Sequence, residues 1–250
     1  MRVEMHDITV SFGGNIAVNS MSLEAREGSI VGLIGPNGAG KSTVINVLSG
    51  FIAPNKGKVI VEQRDVTKKS PQLRAHYGIG RTFQQVRLCE ESTVMENLMY
   101  AAEAILAGRN PIRMVWGRRG DAKSINERIE SALVICGLEG AADTKVEDLS
   151  TGQRRLVELS RCLVNQYRIL LLDEPAAGLD ERETEAMGNL LRDVVSKQGL
   201  GVLLVEHDMS LVLGICENVY VMDFGQLIFS GSALEARHST IVQDAYLGVM

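Results

Sequence analysis

A chain of 250 residues with 45% apolar and 23% charged side chains has ordinary globular usage, which excludes a disordered polymer or a fibrous repeat. Its 26 Lys and Arg against 31 Asp and Glu leave a net charge of −5, the wrong sign for a protein that mainly coats nucleic-acid phosphates. Its longest apolar stretches, Ile169–Leu172, Val202–Val205 and Leu211–Cys216, fall far short of the roughly 20 residues that cross a bilayer, and Glu4, His6 and Asp7 interrupt any basic-then-apolar leader, so the chain is expected neither to span a membrane nor to be exported.

The first third reads as strands. Val3–Val10 and Ile16–Ala25 alternate around Gly13-Gly14, and Ser29–Ile34 is nearly all apolar, as a strand covered on both faces should be. A glycine-rich turn follows, then Ser42–Leu48 at helical spacing closed by Gly50, a strand at Lys58–Val61, and a short helix opened by Ser70-Pro71. From about residue 85 the texture turns helical. Thr93-Val-Met-Glu96 is a capping box for a helix expected to stop at Gly108, residues 109–120 read as a basic loop carrying Trp116, and helices follow at about Ala122–Cys136 and Gln153–Val164. The β/α alternation then returns: strand Ile169–Leu172, helix Glu181–Ser196, strand Val202–Val205, helix Met209–Cys216, a hairpin turned at Phe224-Gly225, and one last helical piece. The expected fold class is α/β, a mixed core with a helical insertion at about 85–164.

Cys89, Cys136, Cys162 and Cys216 form no CxxC pair and no zinc spacing, so they read as free thiols, three of them among apolar neighbours, in a reducing compartment.

The strongest chemical signal is Gly35-Pro36-Asn37-Gly38-Ala39-Gly40-Lys41-Ser42, which fits GxxxxGK[ST] between a predicted strand and a predicted helix. The glycines let successive N–H groups curl around a phosphate at the positive end of the helix dipole. Lys41 then reaches the β- and γ-phosphates, Ser42 binds Mg²⁺, and Thr43 touches the α-phosphate. Asp173 and Glu174 end the apolar strand Ile169–Leu172, where α/β sheets hold their ligands; Asp173 is the candidate Mg²⁺ carboxylate and Glu174 the group that orients or deprotonates the attacking water. Ser150 is the N-cap of a helix whose Gly152 permits close approach to an anion. Taken alone, Gln84 reads as a surface residue and His207 as an ordinary histidine after a strand.

In order and spacing, the phosphate loop, Gln84, Leu149-Ser150-Thr151-Gly152-Gln153, Asp173-Glu174, Asp180 and His207 resemble the ATP-binding-cassette (ABC) ATPases across essentially the whole chain. The resemblance implies one nucleotide-binding domain over 1–250. It has a P-loop NTPase (RecA-like) core at 1–84 and 165–250, with an N-terminal antiparallel β-subdomain, and an α-helical subdomain at about 85–164. By resemblance Gln84 joins Mg²⁺ and the attacking water to the helical insertion. Ser150, Thr151, Gly152 and Gln153 are the signature, with Thr151 where glycine is usual. Asp180 lies in the loop that meets the partner subunit, and His207 contacts the γ-phosphate. Phe12 stands where an aromatic lies against adenine, and stacking needs only its ring.

The cofactors implied are ATP and Mg²⁺, and the working form implied is a head-to-tail dimer with a second ABC ATPase subunit, a copy or a paralogue. Integral membrane permease subunits and an external solute-binding protein are the implied partners, at the inner face of the cell membrane, with no nucleic acid. Gly80-Arg-Thr-Phe-Gln84, Asp173-Glu-Pro-Ala-Ala-Gly-Leu179, Glu206-His-Asp-Met209 and Ala245-Tyr-Leu-Gly248 look like the ATPases of branched-chain amino-acid, or related amide and urea, importers. Lipopolysaccharide-export ATPases share part of this pattern. Soluble ABC ATPases of translation or repair carry two cassettes, a long coiled coil or a zinc site, and none of these is visible.

Overall fold

The computed structural model describes residues 1–82, 87–109 and 119–247, which fall into two compact units. The first comprises Met1–Arg81, Arg168–Glu174 and Leu191–Met250; the second comprises Thr82–Tyr167 and Pro175–Leu190.

The first unit holds two sheets. One is antiparallel, in the order β2-β1-β4-β5, from β1 (Arg2–Phe12), β2 (Asn15–Arg26), β4 (Lys56–Val61) and β5 (Arg64–Asp65). Gly13-Gly14, with φ of 53° and 92°, makes the two-residue β1–β2 turn, a conformation that a side chain would strain. Val3 and Met5 and, past a register shift, Ile8 and Val10 are fully buried and pack with Val44, Ile45, Val47 and Leu48 in one core cluster.

The other sheet runs β10-β9-β3-β8-β7-β6. Strands β3 (Ile30–Ile34), β7 (Ile169–Asp173) and β8 (Gly201–Val205) are buried at every position, as parallel strands covered on both faces must be. β6 (Ile79–Arg81) pairs with β7 in parallel, β9 (Asn218–Asp223) with β3 in parallel, and β10 (Gln226–Ser232) returns antiparallel along β9. The register sets Leu33 and Asp173 each opposite Val205, and Arg81 opposite Leu171. The residues that follow these strands, Gly35, Thr82, Glu174 and Glu206, therefore leave the sheet along its carboxyl edge, where α/β sheets gather ligand chemistry.

Helix α1 (Lys41–Ser49) begins at that edge and ends on Gly50, whose φ of 85° lets its N–H return to Asn46 and Val47. α2 (Pro71–His76) starts as its sequence predicts, with Ser70 Oγ accepting the Leu73 N–H. In the second unit α3 (Val94–Arg109), α4 (Arg119–Cys136) and α5 (Thr151–Val164) pack on one another, burying Leu98, Ala102, Ile129, Leu133 and Val157. α6 (Glu181–Gln198) begins in the second unit and ends in the first. α7 (Met209–Ile215), α8 (Ala233–His238) and α9 (Thr240–Leu247) complete the chain.

Three local expectations need correction. α3 continues through Gly108, because one glycine costs a helix only about 1 kcal/mol. The ends of the expected basic loop 109–120 are helical instead, Arg109 ending α3 and Arg119 opening α4; residues 110–118, with Trp116, lie outside the described residues. The last helical piece is two helices, broken at Ser239, whose hydroxyl accepts the Val242 N–H. No helix among the described residues is long and apolar enough to cross a membrane.

Candidate functional site

The loop from Gly35 to Gly40 is anchored at both ends by positions where no side chain fits. A Cβ on Gly35 would stand 2.1 Å from the Met222 carbonyl oxygen, and one on Gly40 would stand 2.5 Å from that of Ala17. Gly38, at φ 83°, instead faces open space. Gly40 adopts φ 103° as the N-cap of α1, so the loop delivers its amides to the positive end of that helix. Lys41 is buried and folds back, donating from Nζ to the Gly35 oxygen at 2.6 Å and the Pro36 oxygen at 3.0 Å. Pro36 and Thr43 are half-buried, Asn37 and Ser42 exposed, and Ala39 buried. Phe12 ends β1 with half its surface exposed.

Asp173 and Glu174 end β7 on the same edge. Asp173 is buried, and desolvation raises its carboxyl pKa against the pull of the Arg81 guanidinium and Lys41. Burial lowers the Lys41 ammonium pKa, while Glu174, Asp173 and Glu206 oppose that shift. The edge thus gathers two cations, Lys41 and Arg81, among three carboxylates. Glu174 sits in the left-handed region at φ 51° and donates its N–H to the Val205 oxygen at 2.9 Å. Such a conformation costs a non-glycine residue about 1–3 kcal/mol, and it is common where geometry serves chemistry. His207 is exposed beyond β8; its N–H donates to the buried Glu206 carboxylate at 3.2 Å, and its Nδ1 stands 3.6 Å from the same oxygen. Gln84 lies outside the described residues.

Arg81 and Glu206 lie within the stretches Gly80–Gln84 and Glu206–Met209 that carry the resemblance, but the sequence assigns neither of them a role. Arg81 donates to Asn46 Oδ1 at 2.7 Å, Ser49 Oγ at 2.9 Å and Asp173 Oδ2 at 3.2 Å, and its guanidinium lies 5.5 Å from the centre of the Phe51 ring. Burial lowers its pKa, opposed by Asp173.

The signature residues and Asp180 belong to the second unit. Ser150 caps α5 reciprocally with Gln153: its hydroxyl accepts the Gln153 N–H at 3.2 Å, and Gln153 Oε1 accepts the Ser150 N–H at 3.0 Å. Thr151 begins the helix, and its methyl group comes up against Gly178. A Cβ on Gly152 would meet Glu183 Oε1 at 2.6 Å, so a side chain there would push on the carboxylate that accepts the Asp180 N–H. Asp180 and Glu183 form a second reciprocal cap, Asp180 Oδ1 accepting the Glu183 N–H at 2.8 Å. Three sites of the sequence reading, Ser150, Gln153 and Asp180, are therefore also helix caps.

Comparison with known proteins follows the same lines. The family described as ABC transporter matches residues 18–177. The high-affinity branched-chain amino acid transport ATP-binding protein LivG of Salmonella typhimurium is 40% identical, over 98% of this chain and 96% of its own. An ATP-binding cassette of an ABC transporter, solved in its ADP conformation, is 32% identical with a TM-score of 0.86, over 99% of both chains. The dimeric structure of a bacterial ABC transporter cassette is 25% identical with a TM-score of 0.78, over 92% of this chain and 98% of that one. With a phosphate loop and paired carboxylates on one sheet edge, and kinship along nearly its whole length, the chain belongs to the ABC transporter family as one of its ATP-binding, ATP-hydrolysing subunits.

Proposed function

We propose that this chain powers branched-chain amino-acid uptake, hydrolysing ATP in a head-to-tail dimer at the inner face of the membrane and acting on separate permease subunits fed by an external solute-binding protein. The observation that carries the reading is the gathering of Lys41, Asp173 and Glu174 beside the glycine loop, with near full-length kinship to a branched-chain amino acid transport ATP-binding protein. The dimeric cassette supports the dimer, whose partner is a second copy or a paralogue.

In this reading the loop amides of Gly35–Gly40 and the Lys41 ammonium bind the phosphates of one ATP, Thr43 touches its α-phosphate and Phe12 stacks on its base. The partner subunit presents its own signature, the Ser150–Gln153 helix start, to the same nucleotide, and Asp180 lines the junction. A hydroxyl from Ser42 and a carboxylate from Asp173 are oxygen donors, a set that suits a hard cation arriving with phosphate oxygens. Ser42, Gln84 and Asp173 are the residues that would hold Mg²⁺, which when bound offsets phosphate charge. That charge needs offsetting, because the edge already carries Asp173, Glu174 and Glu206. Glu174 takes the proton of the attacking water and His207 donates to the γ-phosphate. Loss of the γ-phosphate removes the contact that joins two surfaces, and the dimer parts because ATP favours the closed state over the open.

ATPase activity against protein concentration tests the dimer-only site: a quadratic rise at low concentration is expected, and a linear one overturns it. Purifying tagged chain from gently solubilised membranes tests the partners. Polytopic membrane proteins should come with it, and their absence defeats the transport reading.

A further inference from the structure

Ser42, Asn46 and Ser49 are spaced i, i+4, i+7 on α1 and so share one stripe of that helix. Arg81, at the end of β6, engages the lower two, its Nη1 donating to Asn46 Oδ1 at 2.7 Å and to Ser49 Oγ at 2.9 Å. Its Nη2 donates to Asp173 Oδ2 at 3.2 Å, across 92 residues of sequence. Ser49 is itself fixed to α1 by its hydroxyl bond to the Ile45 oxygen at 2.6 Å. The guanidinium is largely buried, with Phe51 lying beside it. One planar fork therefore joins the carboxylate at the end of β7 to the helix whose first turn carries Lys41 and Ser42. A lysine could not do this, because an ammonium is a point charge without two fixed arms.

We infer that Arg81 is a positioning residue for ATP hydrolysis: it hangs Asp173 on the α1 stripe that bears Ser42, so the two protein oxygens intended for the metal are set before nucleotide arrives. The inference rests on reading Ser42 and Asp173 as the protein ligands of that metal. It makes Asn46 and Ser49 part of the same device, although neither touches nucleotide in this reading. A guanidinium merely filling a buried gap would not need them.

The test measures Mn²⁺ in place of Mg²⁺, following free Mn²⁺ by electron paramagnetic resonance in the presence of ATP, and separately measures a fluorescent ATP analogue in EDTA. Arg81→Met is expected to weaken Mn²⁺ binding about tenfold while leaving metal-free nucleotide binding within about twofold. Arg81→Lys should recover little of the loss. Asn46→Ala, which leaves both Arg81 and Asp173 in place, should weaken Mn²⁺ about threefold, and the double variant should be no worse than Arg81→Met alone. Mn²⁺ binding that is unchanged or tighter in Arg81→Met overturns the inference, since the guanidinium would then only compete with the metal. Equal losses with and without metal overturn it too, as a packing role would give. Should Arg81→Met fail to fold, Asn46→Ala decides alone, and undiminished Mn²⁺ binding there is fatal. Asp173→Asn separates the two readings: no effect on Mn²⁺ sinks the assignment of Asp173, whereas a loss there with none in Arg81→Met sinks only the role of Arg81.

Discussion

Glu174 is held at φ 51° by a backbone bond from its own N–H to Val205, so the turn that strains it also fixes where its carboxylate leaves the sheet. Gln keeps the shape and the backbone preference but cannot take a proton. Glu174→Gln is therefore expected to bind ATP as the native chain does and to lose about 100-fold or more in kcat, the usual worth of a general base. With hydrolysis blocked, ATP and Mg²⁺ should hold the closed dimer together, visible as a stable early peak in size-exclusion chromatography. Native turnover in this variant would remove Glu174 from the chemistry. The residues that sequence reading finds here are those whose meaning is local: glycines forced by a tight loop, a lysine at a helix start, two carboxylates ending an apolar run. Arg81 escapes it, because its meaning is a contact with Asp173 made only when β6 and β7 pair.

Helix α1 is short, and both of its ends are managed. Its N-terminus receives the phosphate loop, and at its C-terminus Gly50 turns left-handed over the last carbonyls. Arg74, fully buried, donates from Nη1 to the Val47 and Leu48 oxygens, from Nη2 to the Thr67 oxygen and from Nε to the Lys69 oxygen, putting a positive charge where the helix dipole favours one. Burial lowers the pKa of this guanidinium to about 10, still charged at neutral pH. Arg74→Met would leave several of those carbonyls without a donor, each a loss of about 1–3 kcal/mol. Urea unfolding should show a total loss of about 3 kcal/mol or more, with a weaker affinity for ATP because α1 carries the loop. A loss under about 1 kcal/mol would mean that water replaces the guanidinium. The helices with side-chain caps are legible from sequence, as Thr93 with Glu96 and Ser150 with Gln153 demonstrate. Their far ends are less so. α3 ignores Gly108 and the last helix breaks at Ser239, since fraying and hydroxyl caps leave weaker marks than a capping box.

Across the whole molecule, the four free cysteines divide by burial, and that division sets how stability responds to alkali. Cys89 is exposed, while Cys136, Cys162 and Cys216 are buried. Desolvation pushes the buried thiols up to about 11, 12 and 12, against 9.0 for a free thiol. An acid whose native pKa is raised keeps its proton longer folded than unfolded, so its stabilising contribution is complete below pH 9 and fades as pH climbs toward the native value. Between pH 8 and pH 10 the unfolded thiols ionise and the native ones do not, costing somewhat over about 1 kcal/mol for each, or about 4 kcal/mol together. The urea midpoint should therefore fall steeply over that interval. Cys162→Ala lowers stability at pH 8 by leaving a cavity, but the further loss from pH 8 to pH 10 should shrink by about 1 kcal/mol, because one titrating thiol is gone while the lysines and tyrosines common to both proteins cancel. In parallel, a thiol reagent at pH 8 should label one cysteine quickly, the site at 89, and three more only after unfolding. A variant that loses as much stability between pH 8 and pH 10 as the native chain would show that the Cys162 thiol ionises freely in the fold, and the burial argument would fail with it.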